Sequence, residues 1–330
     1  MLTIRTMQRR TLLAGLAAGA LARPSLAFAQ AWAPSRPVTL VLGFPPGGAS
    51  DAAVRIIQPY LQAALGQSVV VDNRAGAGGN IGAQAVARAV PDGTTIGSAN
   101  MGTLAVNPSL VRNMGFDPMA DLAPVSMIFN ATNVLVCPAN RPFRSVAELV
   151  AAAKARPETI TYGTGGVGSP GHLCGILFDH LAGTKTVAVP YRGGGPQILA
   201  ALAGEHDFGF SPLGTVLGHI QAGTLRALGV ATTTRAAELP DVPTMAQAGL
   251  AGFEVLNWDG IILPRATPAP IVARIGEVVR ATLADPEVVT AFKRRGLEAW
   301  PTTSQAMATQ LAADAAKWQP LIRAAGIEPS

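Results

Sequence analysis

The sequence predicts an α/β protein with a mostly parallel sheet, on three observations. Short apolar, β-branched runs alternate with helical segments along the chain beyond residue 36. One unit, a strand feeding a glycine-rich loop that opens a helix, occurs three times, at 40–66, 160–181 and 187–204. The chain has 330 residues, 49% hydrophobic and 14% charged, which is enough apolar material for two ordinary domains with cores.

The first 29 residues stand outside that count. Arg5, Arg9 and Arg10 precede an apolar run at 12–21, and Ala27, Phe28 and Ala29 form a small-x-small cleavage signal. The run is about half the roughly 20 residues that a membrane-spanning helix needs, so it reads as a signal peptide cleaved after about Ala29. RRTLLAG, with Arg23 near the cleavage site, gives it twin-arginine character. No later run is long enough to span a membrane. Most of the net charge of +5 leaves with this segment: without Arg5, Arg9, Arg10 and Arg23, 21 basic residues face 20 acidic ones. With no basic tail or stripe, nucleic acid is not an expected partner. A preference for anions has to come from local geometry.

The first unit supplies such geometry. A strand at 38–43 runs into Pro45, Gly47 and Gly48, and a helix is predicted to open at Ser50 as its N-cap. Glycine lets the backbone turn sharply and approach a ligand closely. A helix N-terminus adds free N–H groups and the positive end of the dipole, which suits an anion. Pro59 is expected to kink or split this helix. Next come a strand at 68–71, a glycine-rich turn at 72–82, a helix at 82–89, a strand at 94–98 and a polar break at 100–103. A strand at 133–137 precedes a helix at 145–155, for which Ser145 and Glu148 form a capping box. Beyond the second and third glycine loops, strands are predicted at 208–211, 225–230 and 255–263. Helices follow at 271–283, 286–295 and 303–325.

Several motifs invite more specific chemistry and fail on a partner. GTGGVG at 163–168 satisfies the dinucleotide pattern, but the next strand ends in Tyr191 and Arg192 where an acid should bind ribose. Ser169, His172 and an acid suggest a secreted hydrolase. However, Val167 breaks the nucleophile-elbow pattern, and Pro170 has no N–H for an oxyanion. No lysine follows a glycine, so there is no phosphate-binding P-loop. Glu205, His206 and Asp207 lack a second histidine at ligand spacing and read as a solvated turn. Trp258 and Tyr191 fit either the core or a cleft wall. Cys137 and Cys174 allow one disulfide, although their apolar surroundings favour two buried thiols. No cofactor is called for.

A set of ordered motifs carries a family resemblance. RPVTLVLGFPPGGASDAAVR, VVVDNRAGAGGNIGAQAVARAVPDGTT, NPSL, SVAELVAAAKA, YGTGGVGSPGHL, VPYRGGGP, LRALGVATTTR and LPDVPT, from Arg36 to about Trp318, resemble the receptors of tripartite tricarboxylate transporters. These Bug-type proteins are extracytoplasmic solute-binding proteins. The resemblance implies a two-lobed periplasmic-binding-protein fold of type II, two α/β lobes joined by two crossing strands. Lobe 1 would be 36–131 plus 258–330 and lobe 2 would be 132–257, with crossings near 133–138 and 253–260. It implies a non-enzymatic, monomeric periplasmic receptor for a small carboxylate, an organic acid or amino-acid-like, that hands its ligand to membrane transporter subunits or a sensor. Carried onto this chain, the ligand residues would be Phe44, Pro45, Gly47, Gly48, Ser50 and Asp51 in the first loop. The second loop would add Thr164, Gly165, Gly168, Ser169 and His172, and the third Tyr191, Arg192 and Gly193. Asn100, Thr103 and Ser211 would stand at neighbouring strand ends. Asp51 beside an anion is expected to cap its loop or bind water rather than touch a carboxylate. Pro59 and the stretch 257–260 look less typical of the family.

Overall fold

The computed structural model describes residues 32–327 and 329, so the signal-peptide prediction lies outside the described residues. In chain order the elements are β1 (Val38–Leu42), α1 (Ala49–Leu65), β2 (Val69–Asn73), α2 (Asn80–Ala87), β3 (Thr95–Asn100), β4 (Leu122–Ala131) and β5 (Asn133–Pro138). They continue with α3 (Val146–Ala155), β6 (Thr161–Thr164), α4 (Pro170–Ala182), β7 (Val187–Pro190), α5 (Gly194–Ala203), β8 (Phe208–Pro212), α6 (Leu213–Gln221) and β9 (Leu225–Val230). The last are β10 (Trp258–Pro264), α7 (Ala269–Leu283), α8 (Pro286–Lys293), β11 (Leu297–Ala299) and α9 (Ser304–Ala324).

The strands form two sheets, ordered β11-β4-β10-β3-β1-β2 and β7-β6-β8-β5-β9, each the centre of one α/β lobe. Pairing is parallel where a helix connects the strands, as in β1 with β2 and β3, and β6 with β7 and β8. It is antiparallel wherever β4, β5 or β10 takes part. The expectation of a mostly parallel sheet is therefore corrected. The strands that carry the chain between lobes enter each sheet from the opposite direction, and sequence alternation of strand and helix does not report that direction.

Local sequence explains most element ends. In α1, Val54, Ile57, Leu61 and Leu65 recur at helical spacing and are buried, while Gly66 closes the helix in the left-handed region. Two details depart from expectation. The helix starts at Ala49 with Gly48 as N-cap, so Ser50 lies inside the first turn, and it runs unbroken through Pro59. Pro59 is exposed, so water can take the backbone group that its ring frees. In α3, Ser145 caps as predicted, accepting the Glu148 N–H at 3.2 Å; the Glu148 carboxylate accepts instead from Arg144 N, at 2.7 Å.

Two connections cross between the lobes side by side. The Ala131 N–H donates to the Asn257 carbonyl at 3.0 Å, and the Asn257 N–H donates to Asn130 Oδ1 at 2.8 Å. Helix α9 clamps the returning segment: Lys317 Nζ donates to the Glu254 carbonyl at 2.6 Å and Trp258 Nε1 to Asp314 at 2.7 Å. Trp258 and Trp318 are among the largest fully buried side chains, so Trp258 is a core residue and not a cleft wall. One apolar cluster is continuous from Val41 and Met101 of the first lobe to Leu135, Phe178 and Phe210 of the second. Cys137 and Cys174 are buried free thiols. No helix among the described residues is long and apolar enough to cross a membrane.

Candidate functional site

The glycine loops leave their strands at one end of each sheet, and close contacts link them. In the first loop Gly47 has a φ of +92°, which glycine alone adopts without strain, and the N-cap Gly48 offers no side chain to the first-turn N–H groups. Residues 45–49 are exposed. Asp51 is buried beneath them. It accepts from Gly47 N at 3.1 Å, Arg55 Nε at 2.9 Å and Asn73 Nδ2 at 3.1 Å. Burial pushes its carboxyl up, but these bonds outweigh burial and hold it below the usual carboxylate range. Asp51 is therefore spent on shaping the loop. Asn73 also donates to the Phe44 carbonyl at 2.9 Å, and the Phe44 ring lies against Gly79.

Asn100 and Thr103 build a neighbouring support. Asn100 Oδ1 accepts the Thr103 N–H at 2.9 Å, and Thr103 Oγ1 donates to the Gly78 carbonyl at 2.9 Å. Asn107 Nδ2 reaches the same carbonyl at 3.1 Å and Asn80 Oδ1 at 2.7 Å. Sequence reasoning saw the stretch 72–82 only as a turn and missed Gly78, Gly79, Asn80 and Asn107. The density of glycines ahead of a helix was the one available signal. Asn80 opens α2 with 4% exposure, and its Nδ2 has no hydrogen-bond partner.

The second loop meets this support directly. A Cβ added to Gly102 would lie 3.3 Å from the Gly168 carbonyl, and one on Gly168 would lie 2.8 Å from Leu110. The third loop joins the second, because Tyr191 N donates to the Thr164 carbonyl at 2.9 Å and a Cβ on Gly165 would lie 3.4 Å from Gly194 N. Tyr191 is half-buried, Arg192 and Gly194 are exposed, and Gly193 is intermediate. Ser211, buried at the end of β8, donates to Gln197 Oε1 at 2.9 Å. The predicted residues thus fall on one connected belt of loops, with Thr103, Thr164 and Asp51 acting as its internal struts.

The hydrolase arrangement is absent. Ser169 Oγ caps α4 by accepting the His172 N–H at 3.3 Å, while His172 Nδ1 accepts the Gly168 N–H at 3.2 Å. Burial pushes the imidazole down to about 4, so it is a neutral structural ring stacked near Tyr162 rather than a base serving Ser169. The solvated turn at 205–207 is corrected at His206: Glu205 is exposed, but His206 is 1% exposed and fills the space above Gly163, leaving no room there for a Cβ. No cluster of metal-ligating side chains occurs among the described residues.

A groove of about 580 Å³ lies elsewhere, between α4 and the C-terminal end of α9, lined by Tyr162, His172, Ile176 and Leu321. Its charged groups are engaged with neighbours: Asp179 takes the Thr184 and Thr186 hydroxyls, and Lys185 faces Glu158 at 3.8 Å. It offers no converging set of free donors. The belt has an uncapped helix start instead, at Gly48 and Ala49 of α1, both exposed.

Comparison with known proteins agrees with this architecture. The model of the tripartite tricarboxylate transporter family receptor matches residues 53–327. The protein BugT of Bordetella pertussis is 34% identical over 294 residues, 89% of this chain and 90% of that protein. Among solved structures, R. palustris Rpa4515 with adipate superposes with a TM-score of 0.82 at 36% identity, covering 90% of this chain and 99% of that one. MatC from Rhodopseudomonas palustris with bound malate gives a TM-score of 0.78 at 28% identity, covering 88% and 99%. The chain is a non-enzymatic solute-binding receptor and belongs to the tripartite tricarboxylate transporter receptor family.

Proposed function

We propose that this receptor captures a small dicarboxylate, with one carboxylate seated on the first turn of α1 and the loops of both lobes around it. The observation that carries the reading is the uncapped start of α1. Gly48 leaves the first-turn N–H groups open, the dipole favours an anion there, and Asp51 is already committed to Gly47, Arg55 and Asn73. Relatives of the same fold hold adipate and malate, which supports two carboxylates rather than one. Phe44, Pro45, Gly47, Gly48 and Ser50 form the proximal wall. Gly165, Gly168, Tyr191, Arg192, Gly193 and Ser211 form the opposite one. Asn100, Thr103, Thr164, Ser169 and His172 hold these walls in shape.

The moving bodies are 36–131 with 258–330, and 132–257, closing about the paired crossings near residues 131 and 257. The mature protein is a periplasmic monomer, exported by the twin-arginine route and cleaved after about Ala29. It passes its ligand to the membrane subunits of a tripartite transporter. A thermal-shift screen of unfolded and refolded mature protein against mono-, di- and tricarboxylates, amino acids and aromatic acids tests the ligand class. A dicarboxylate at about 100 times its Kd adds about 2.7 kcal/mol of stability. Stabilisation only by amino acids or aromatic acids overturns the dicarboxylate reading.

A further inference from the structure

Asp259 on β10 has no part in the reading above, yet it is a fully buried carboxylate in register with the strand end that bears Asn100. It is 0% exposed and pairs across the sheet with Asn100, whose Oδ1 accepts the N–H of Thr103 in the buried helical stretch that follows β3. Ser98 Oγ donates to its Oδ1 at 2.6 Å. The Ser50 hydroxyl, from the first turn of α1, also favours its charged form, and Oδ2 has no hydrogen-bond partner. A carboxylate therefore lies under the same helix turn that is proposed to take the ligand's carboxylate.

No basic side chain is bonded to it. On α1, Asp51 pairs with Arg55, and α2, which packs on β10, carries no charged residue. On α9, Asp314 accepts from Trp258, the neighbour of Asp259 on the alternate face of the strand, and Lys317 donates to the Glu254 carbonyl. Strands β3 and β4, on either side, carry no charged residue. Asp259 is thus a buried acid without a cation beside it.

We propose that Asp259 is a positioning residue that couples ligand capture to the uptake of one proton. With Asp259 ionised, two like charges would share the desolvated start of α1. With it protonated, the buried charge is gone and Ser50 is no longer drawn toward an anion beneath it. Ligand binding therefore raises the affinity of Asp259 for its proton, and a lower pH strengthens binding. Burial already pushes this carboxyl up to about 6 without a ligand, which puts the coupling in the neutral range. This inference rests on the dicarboxylate site proposed above.

The test is calorimetry with adipate and malate as probes, from pH 6 to pH 8, in two buffers of different ionisation enthalpy. The expected result is proton uptake approaching one per ligand, with Kd rising up to tenfold per pH unit, and loss of that slope in Asp259→Asn. Tight binding with no proton uptake by the wild type overturns the inference and leaves the site reading standing. A pH slope that persists in Asp259→Asn does the same. Absence of binding by either probe at every pH sinks both. The buffer comparison uses the wild-type protein, so it decides the matter even if Asp259→Asn folds poorly; Ser98→Ala, which removes the donor to Oδ1, should then shift the slope to higher pH.

Discussion

In the six-stranded lobe, the loops at 43–51, 76–80 and 100–107 are lashed together by side chains: Asp51 to Gly47, Asn73 to Phe44, and Thr103 and Asn107 to Gly78. In the five-stranded lobe, the loops at 163–172 and 191–197 are joined mainly by backbone and by close approach of glycines, and Gly193, Gly194 and Gly195 have nothing within 4 Å of an added Cβ. One side of the belt is preorganised and the other has room to adapt. Buried side-chain networks fix a single geometry, whereas an exposed glycine loop leaves several open. The difference suggests that a constant carboxylate is met by the first lobe and the variable remainder of the ligand by the second.

Substitutions can break this contrast. The largest effect is expected at Gly43, whose added Cβ would lie 2.6 Å from the Gly79 carbonyl with backbone on both sides. Gly43→Val should cost about 4 kcal/mol in denaturant unfolding, or prevent folding, because neither strand nor loop can move aside. A cost below about 1 kcal/mol would show that the first lobe is not rigid.

His172 probes the second lobe by pH. Its folded value, about 4, lies below the ordinary 6.5, so the unfolded chain takes up the proton first. Its contribution is present above pH 6.5 and is lost as pH falls toward 4, a loss of roughly 3 kcal/mol. The difference between wild type and His172→Gln across pH 4 to 7 isolates it from Asp259, which burial shifts the other way. Parallel curves would contradict a buried neutral imidazole.

Asp51→Ala comes next. It strands the Gly47 N–H and one Asn73 bond, and should cost about 2 kcal/mol and weaken dicarboxylate binding together. Binding that improves on removing this charge would mean Asp51 opposes the ligand instead of shaping the loop. Gly48→Val is expected to separate binding from stability. Its φ of −79° suits any residue and only the Pro45 carbonyl lies as near as 4.0 Å, so folding should be unaffected while adipate affinity falls about tenfold, or about 1.4 kcal/mol. Arg192→Ala, at an exposed position, should change affinity less than Gly48→Val; the reverse order would mean that side-chain charge holds the anion. Gly194→Ala, exposed and uncrowded, should leave stability within about 0.5 kcal/mol and so mark the adaptable side.

The sequence by itself determined the local units. Apolar runs of strand length, glycines ahead of helices and helical spacing such as Val54, Ile57, Leu61 and Leu65 are short-range signals and gave most elements within a few residues. The strand Leu122–Ala131 and the short strand Leu297–Ala299 were missed. The three loops were legible for the same reason, as was the capping role of Ser145. The tertiary structure alone decided three things. It set the antiparallel insertion of β4, β5 and β10, because strand direction depends on where a distant segment re-enters. It recruited Gly78, Asn80 and Asn107 to the belt through bonds spanning 25 to 29 residues. And it buried Asp259 beside Ser98, 161 residues away, where low dielectric rather than any local motif raises its proton affinity.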